Sequence, residues 1–102
     1  MKIGHGFHAT MTARPGEGDA LVELLLDAPV TSHQDCLVFL VGRSASNSDI
    51  VHVTEGWTSR EAHSDFFASA AAQAYTARFA PLLAHDPRYA DEVPVGGKVA
   101  LG

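Results

Sequence analysis

Residues 36–57, CLVFLVGRSASNSDIVHVTEGW, decide the fold. From Cys36 to Gly42 the run is apolar on both alternating faces, and a strand of that kind needs cover on two sides. Residues 44–49, SASNSD, make a polar turn of hairpin length. Ile50 to Trp57 then resumes strand character, so the two segments are expected to pair antiparallel.

Before the hairpin, Phe7, Ala9, Met11 and Ala13 alternate with His8, Thr10 and Thr12, the period of two of a strand with one apolar face. RPGEG at 14–18 interrupts it. From Glu17 the spacing of Leu21, Leu24, Leu25 and Ala28 is that of an amphipathic helix, which must end before Pro29 because the residue ahead of a proline is pushed out of helical geometry. After the hairpin, Thr58-x-x-Glu61 has the form of a capping box opening a helix over about 59–69. Residues 70–84 continue helically, with Tyr75, Phe79, Leu82 and Leu83 on one stripe and Pro81 loosening the last turns. HDPRYADEVP reads as loop, and Val93 to Leu101 as a final strand weakened by Gly96 and Gly97.

The order β-α-β-β-α-α-β is the split pattern of a ferredoxin-like α+β domain: a four-stranded antiparallel sheet with its helices on one face. One such domain accounts for residues 1–102. A second strand apolar on both sides is hard to reconcile with a bare opposite face, which predicts a twofold homodimer with two sheets face to face. A hydrophobic share of 46% points the same way.

The net charge is −5, and the seven Lys and Arg residues are scattered. That pattern gives no electrostatic footprint for a phosphate backbone, so nucleic acid is not expected as a partner. No run of about 18 apolar residues is available to cross a bilayer, and MKIGHGFHATM lacks the core of a signal peptide, so no membrane partner and a cytoplasmic location are expected. The lone Cys36 excludes an internal disulfide and any zinc site built on paired cysteines, and within CLVFLVG it reads as an inert small hydrophobe.

MTARPGEGDALVELL, the strand end VTEGWTSREAH, the helix AQAYTARFAPLLA and the tail PVGGKVALG, in that order and spacing, together resemble the antibiotic biosynthesis monooxygenase family of dimeric α/β barrels. The resemblance implies a homodimer in which each subunit holds a pocket between sheet and helices. It implies an enzyme that oxidises phenolic or hydroquinone-like rings with dioxygen as co-substrate and without cofactor or metal. Some relatives act on simple quinols and some degrade haem. Haem-degrading relatives carry an iron-binding histidine where this chain has Phe66 and Phe67, which cannot ligate iron.

Cofactor-free oxygenation needs a base to take a phenolic proton, a water-poor pocket for a flat ring, and a donor or cation for the negative charge that develops on oxygen. His63 is the leading base: histidine titrates near neutrality, and this one shares a helical stripe with Phe66 and Phe67. Trp57 reads from spacing alone as a brace of the strand-to-helix turn, and the resemblance adds a role at the pocket edge in catalysis. Arg78, beside Tyr75 and Phe79, is the candidate to steady the oxygen anion, against a solvated helix face. Phe66, Phe67, Tyr75 and Phe79 are core by pattern and, in this architecture, would also shape the site for a small aromatic substrate.

Other polar residues read more plainly. Glu55 shares the face of Trp57 and is placed to orient a neighbour, cap the hairpin or meet the dimer partner. Arg14 suits a salt bridge with Glu17 or Asp19. His5, His8 and His52 are strand histidines without a carboxylate at ligand spacing, so no metal site is expected. His33 and His85 fall in loops and read as solvated. Two other functions remain open: a non-oxidative cyclase or isomerase of polyketide-like intermediates, and a non-catalytic dimer binding a small hydrophobic ligand.

Overall fold

Alternation and helical spacing translate directly into the first elements of the computed structural model, which describes residues 2–98. β1 (His5–Thr12) turns Phe7, Ala9 and Met11 inward and leaves His8 in solvent. α1 (Gly18–Leu26) lays Leu21, Leu24 and Leu25 on the sheet. Its start is fixed from outside: the Asp49 carboxylate, in the hairpin loop, accepts the Gly16 N–H at 3.2 Å and the Gly18 N–H at 3.0 Å. A negative charge at that end also suits the helix dipole. The approach is close enough that a Cβ at Gly18 would collide with the Ser48 carbonyl.

A short 3-10 turn at Pro29–Ser32 follows, with proline preset for its first position. The hairpin then forms as expected: β2 (Cys36–Arg43) and β3 (Ile50–Trp57) pair antiparallel, with Val41 opposite Val53 and Phe39 opposite Glu55. α2 (Arg60–Phe67) and α3 (Ala70–Ala77) come next, and β4 (Arg88–Glu92) closes the sheet. The strand order is β2-β3-β1-β4 with every pairing antiparallel, the ferredoxin-like α+β architecture.

Four local expectations are corrected. The final strand is Arg88–Glu92, inside the segment expected to be loop, while Val93 to Lys98 has no regular structure and the remainder of the expected strand lies outside the described residues. The α2 cap is Ser59, whose hydroxyl accepts the Ala62 N–H at 3.1 Å; Thr58 instead donates its hydroxyl to Asp35 at 3.1 Å. α3 stops at Ala77, well before the expected Ala84, and Phe79 to Leu82 proceeds in turns. Arg14 donates to the Leu83 carbonyl at 3.1 Å, and it is Arg43 that pairs with Asp19, at 2.7 Å.

The core has two connected parts. The larger joins Phe7, Ala9 and Met11 of β1 and Val51 and Val53 of β3 to the α1 leucines and Phe79. The smaller gathers Ala28, Val30 and Trp57, with Phe39, Phe66 and Tyr75 against them. Leu21, Val51 and Trp57 are fully buried. Removing each such side chain from water contributes about 1.5–3 kcal/mol. The opposite sheet face carries Val38, Leu40 and Ile50, all half-buried, beside the exposed His8 and His52. No helix among the described residues is long and apolar enough to cross a membrane.

Candidate active site

The helices do not seal against the whole sheet, and the space left is a cavity of about 510 Å3. β1 and β3 supply its floor with Phe7, Ala9, Met11, Val53 and Glu55. α2, α3 and the turn after α3 supply the opposite wall with His63, Phe66, Phe67, Tyr75 and Phe79. The segment 86–91 forms the rim, through Asp86, Pro87, Tyr89 and Asp91.

His63 owes its position to the α2 cap. Ser59 starts the helix so that the fourth residue of its run faces the sheet, and the ring comes to lie over β1. Its centroid stands 5.0 Å from that of Phe7, 5.2 Å from Trp57, 5.8 Å from His5 and 6.2 Å from Phe67. Burial among these rings lowers the His63 pKa from its ordinary value, the neighbouring His5 lowers it further, and Asp91 opposes both. A histidine so placed is neutral near pH 7 and able to accept a proton.

Trp57 is fully buried and does not line the cavity. Its indole N–H donates to Glu55 Oε1 at 2.9 Å, so the expected donor at the pocket edge is already committed. Trp57 is a brace: it carries His63 on one side and holds Glu55, which does face the cavity. Burial raises the Glu55 pKa above the usual carboxylate range, and the Trp57 hydrogen bond pulls the other way. Arg78 is not brought to the cavity either. It is exposed and borders a separate shallow depression with Glu23, Asp27 and Pro81. The one-residue step between Phe79, which is buried, and Arg78 turns the guanidinium to the other side of the chain.

Among the four aromatic candidates, Phe66, Phe67, Tyr75 and Phe79 all line the cavity. The Tyr75 hydroxyl donates to the Leu24 carbonyl at 2.7 Å, which ties α3 to α1, and burial raises its pKa strongly. Tyr75 therefore offers the cavity a ring, with its phenol engaged elsewhere. Cys36 is held as an inert thiol, pushed up to about 11 by burial and by Glu55.

Several contributors were not singled out from the sequence. His33 is half-buried rather than solvated, 5.2 Å from both Trp57 and Phe66. Asp86, Tyr89 and Asp91 reach the site because β4 pairs with β1, placing Asp91 opposite Phe7 and Tyr89 opposite Ala9. Once the strand is located, period-two alternation identifies Tyr89 and Asp91 as inward residues. The charged side chains that line the cavity are Glu55, Asp86 and Asp91, and no Lys or Arg among the described residues joins them.

A family match and several solved structures place this geometry. Residues 5–78 match the family described as antibiotic biosynthesis monooxygenase. Among solved structures, a proposed antibiotic biosynthesis monooxygenase from Chloroflexus aurantiacus J-10-fl is 32% identical with a TM-score of 0.82, covering 93% of this chain and 96% of its own. One from Caulobacter crescentus CB15 shares the fold at 24% identity and a TM-score of 0.81, over 92% of each chain. One from Deinococcus radiodurans does so at 19% identity and 0.78, over 96% of this chain and 99% of its own. Among curated proteins, none matches the chain. A family match over most of the sequence and a solved relative aligned along nearly its full length agree: the chain belongs to the antibiotic biosynthesis monooxygenase family.

Proposed function

We propose that this protein is a small monooxygenase that oxidises a phenolic or hydroquinone-type ring with dioxygen as co-substrate and no cofactor, working as a cytoplasmic homodimer. The observation that carries the proposal is His63: a histidine with its pKa lowered by burial, facing an aromatic-walled cavity large enough for a planar ring. Family membership supplies the reaction class, and the half-buried apolar strip of Val38, Leu40 and Ile50 on the outer sheet face supports pairing with a second copy.

In the proposed reaction the substrate enters as the neutral phenol, since Glu55, Asp86 and Asp91 disfavour an anion arriving from solvent. His63 takes the phenolic proton, which raises the electron density of the ring. The ring then passes electrons to dioxygen; one oxygen atom is inserted as the new carbonyl, and the other leaves as water with two substrate hydrogens. With Arg78 outside the cavity and the Trp57 N–H bonded to Glu55, the protonated His63 is itself the positive charge nearest the developing oxygen anion.

The test is dioxygen uptake by metal-stripped protein on a panel of hydroquinones and anthrones, compared with His63→Ala. Turnover by the wild type should rise with pH through the lowered pKa of His63 and then level off. The variant should lose about 100- to 10,000-fold, the range for removing a general base. Undiminished uptake by His63→Ala would overturn the assignment. A second reading has one specific observation in its favour: a base without a lining cation suits proton transfer alone, as in a cyclase or isomerase of polyketide-like compounds. Product formed without dioxygen consumption would select it.

A further inference from the structure

β1 and β4 set a second ionisable group beside the candidate base. Phe7 and Asp91 are direct partners across these antiparallel strands, so their side chains leave the sheet on the same face and as close neighbours. The His63 ring rests on Phe7 with centroids 5.0 Å apart, and His63 and Asp91 line the same cavity. On the other side of His63 stands His5, buried at 7% exposure and opposite Trp57 in the sheet register. The histidine thus has a second imidazole behind it and a carboxylate toward the rim.

We propose that Asp91 is a positioning residue for His63, a carboxylate on the same cavity wall that acts through space to stabilise the imidazolium formed when the substrate proton arrives. This rests on His63 being the base and adds the group that makes its charged form tolerable in an apolar site. No covalent step is involved. The proton moves from the phenol to His63, and Asp91 stays ionised.

The two neighbours act in opposite senses. Beyond the effect of burial, His5 disfavours the His63 cation, whereas Asp91 favours it. The other ionisable groups that line the cavity from the sheet are Glu55 of β3, whose carboxylate is bonded to Trp57, and Tyr89 of β4; Arg60 lies one turn earlier on α2 itself. Asp86 shares the rim but comes from the segment ahead of β4, outside the pairing that sets Asp91 against Phe7.

The experiment is an NMR titration of the His63 ring in the wild type, Asp91→Asn, Asp91→Glu and Asp86→Asn, with the pH profile of turnover measured alongside. Asparagine keeps the shape of the exposed edge-strand residue, so the fold should persist. Asp91→Asn should lower the His63 pKa by about half a unit, the size of a solvent-screened interaction between single charges, and move the acid limb of the profile down equally. Asp91→Glu should restore most of the shift, and Asp86→Asn should leave it within about 0.2 unit. A His63 pKa unmoved in Asp91→Asn overturns the proposal even if His63→Ala is inactive. Equal shifts in Asp91→Asn and Asp86→Asn overturn it in favour of general rim charge. Full turnover by His63→Ala would instead remove the base assignment, while the titration still reads the pair directly.

Discussion

Trp57→Phe isolates the one hydrogen bond that binds the brace to the cavity. The indole is fully buried and its N–H meets Glu55 Oε1 at 2.9 Å. Phenylalanine preserves an aromatic ring but removes the donor and part of the packed surface. A hydrogen bond to a charged group contributes about 1.5–3 kcal/mol, and the smaller ring forfeits about 1 kcal/mol of burial. The expected cost is about 3 kcal/mol near neutral pH, a fall in Tm of roughly 12–24 °C for a domain of this size.

The pH dependence makes the cause identifiable. Burial already holds Glu55 above its ordinary value, and the indole N–H is the influence that lowers it. Without that N–H the folded-state pKa rises further, so the folded variant binds a proton at a pH where the unfolded chain has released it. The variant therefore recovers stability relative to the wild type as pH falls through that raised value, and its deficit should be larger at about pH 8 than at about pH 5. Urea denaturation followed by far-UV circular dichroism measures both, since the variant lacks the only tryptophan. Equal deficits at the two pH values would refute the hydrogen-bond account and leave packing alone.

Two further outcomes follow from placements that differ from the sequence expectation. Ser59→Ala should cost about 1 kcal/mol by removing the α2 cap, measurable in the same denaturation assay, whereas Glu61→Ala should change stability by less than about 0.5 kcal/mol because Glu61 takes no part in the cap hydrogen bond. Arg78→Ala should leave oxygen uptake within about twofold of wild type, in keeping with an exposed residue outside the cavity; a loss of tenfold or more would put the guanidinium back at the site.

What the sequence revealed depended on how strongly each element is patterned. β1 and α1 carry clean periodicity because one face of each is buried, the β2–β3 hairpin is marked by two strand-like runs around a polar turn, and all form where those patterns place them. β4 escaped because RYADE lies at the sheet edge and is largely exposed, so burial imposes no alternation on it, while the apolar Val93 and Val95 beyond it imitate a strand yet remain exposed. The cap was misplaced by one position because Thr58 and Ser59 are adjacent hydroxyls, and only the backbone decides which one accepts from the helix. In the site, His63 and the four aromatics were legible from helical spacing. Asp91 was not, because its proximity is a matter of register between strands over eighty residues apart, which no local pattern encodes.

The double acceptance of Gly16 and Gly18 by Asp49 bears on how the chain can be altered. By composition, SASNSD is the obvious place to splice in a peptide tag: short, polar and without apolar anchors. Its last residue, however, is the fastening that starts α1, and Ser48 leaves no room for a side chain at Gly18. Lengthening that loop would release the helix as well as the hairpin tip, so the two behave as one cooperative piece. The freer graft point is the segment after β4, where Val93 to Lys98 carries no regular structure and Val95 is almost wholly exposed.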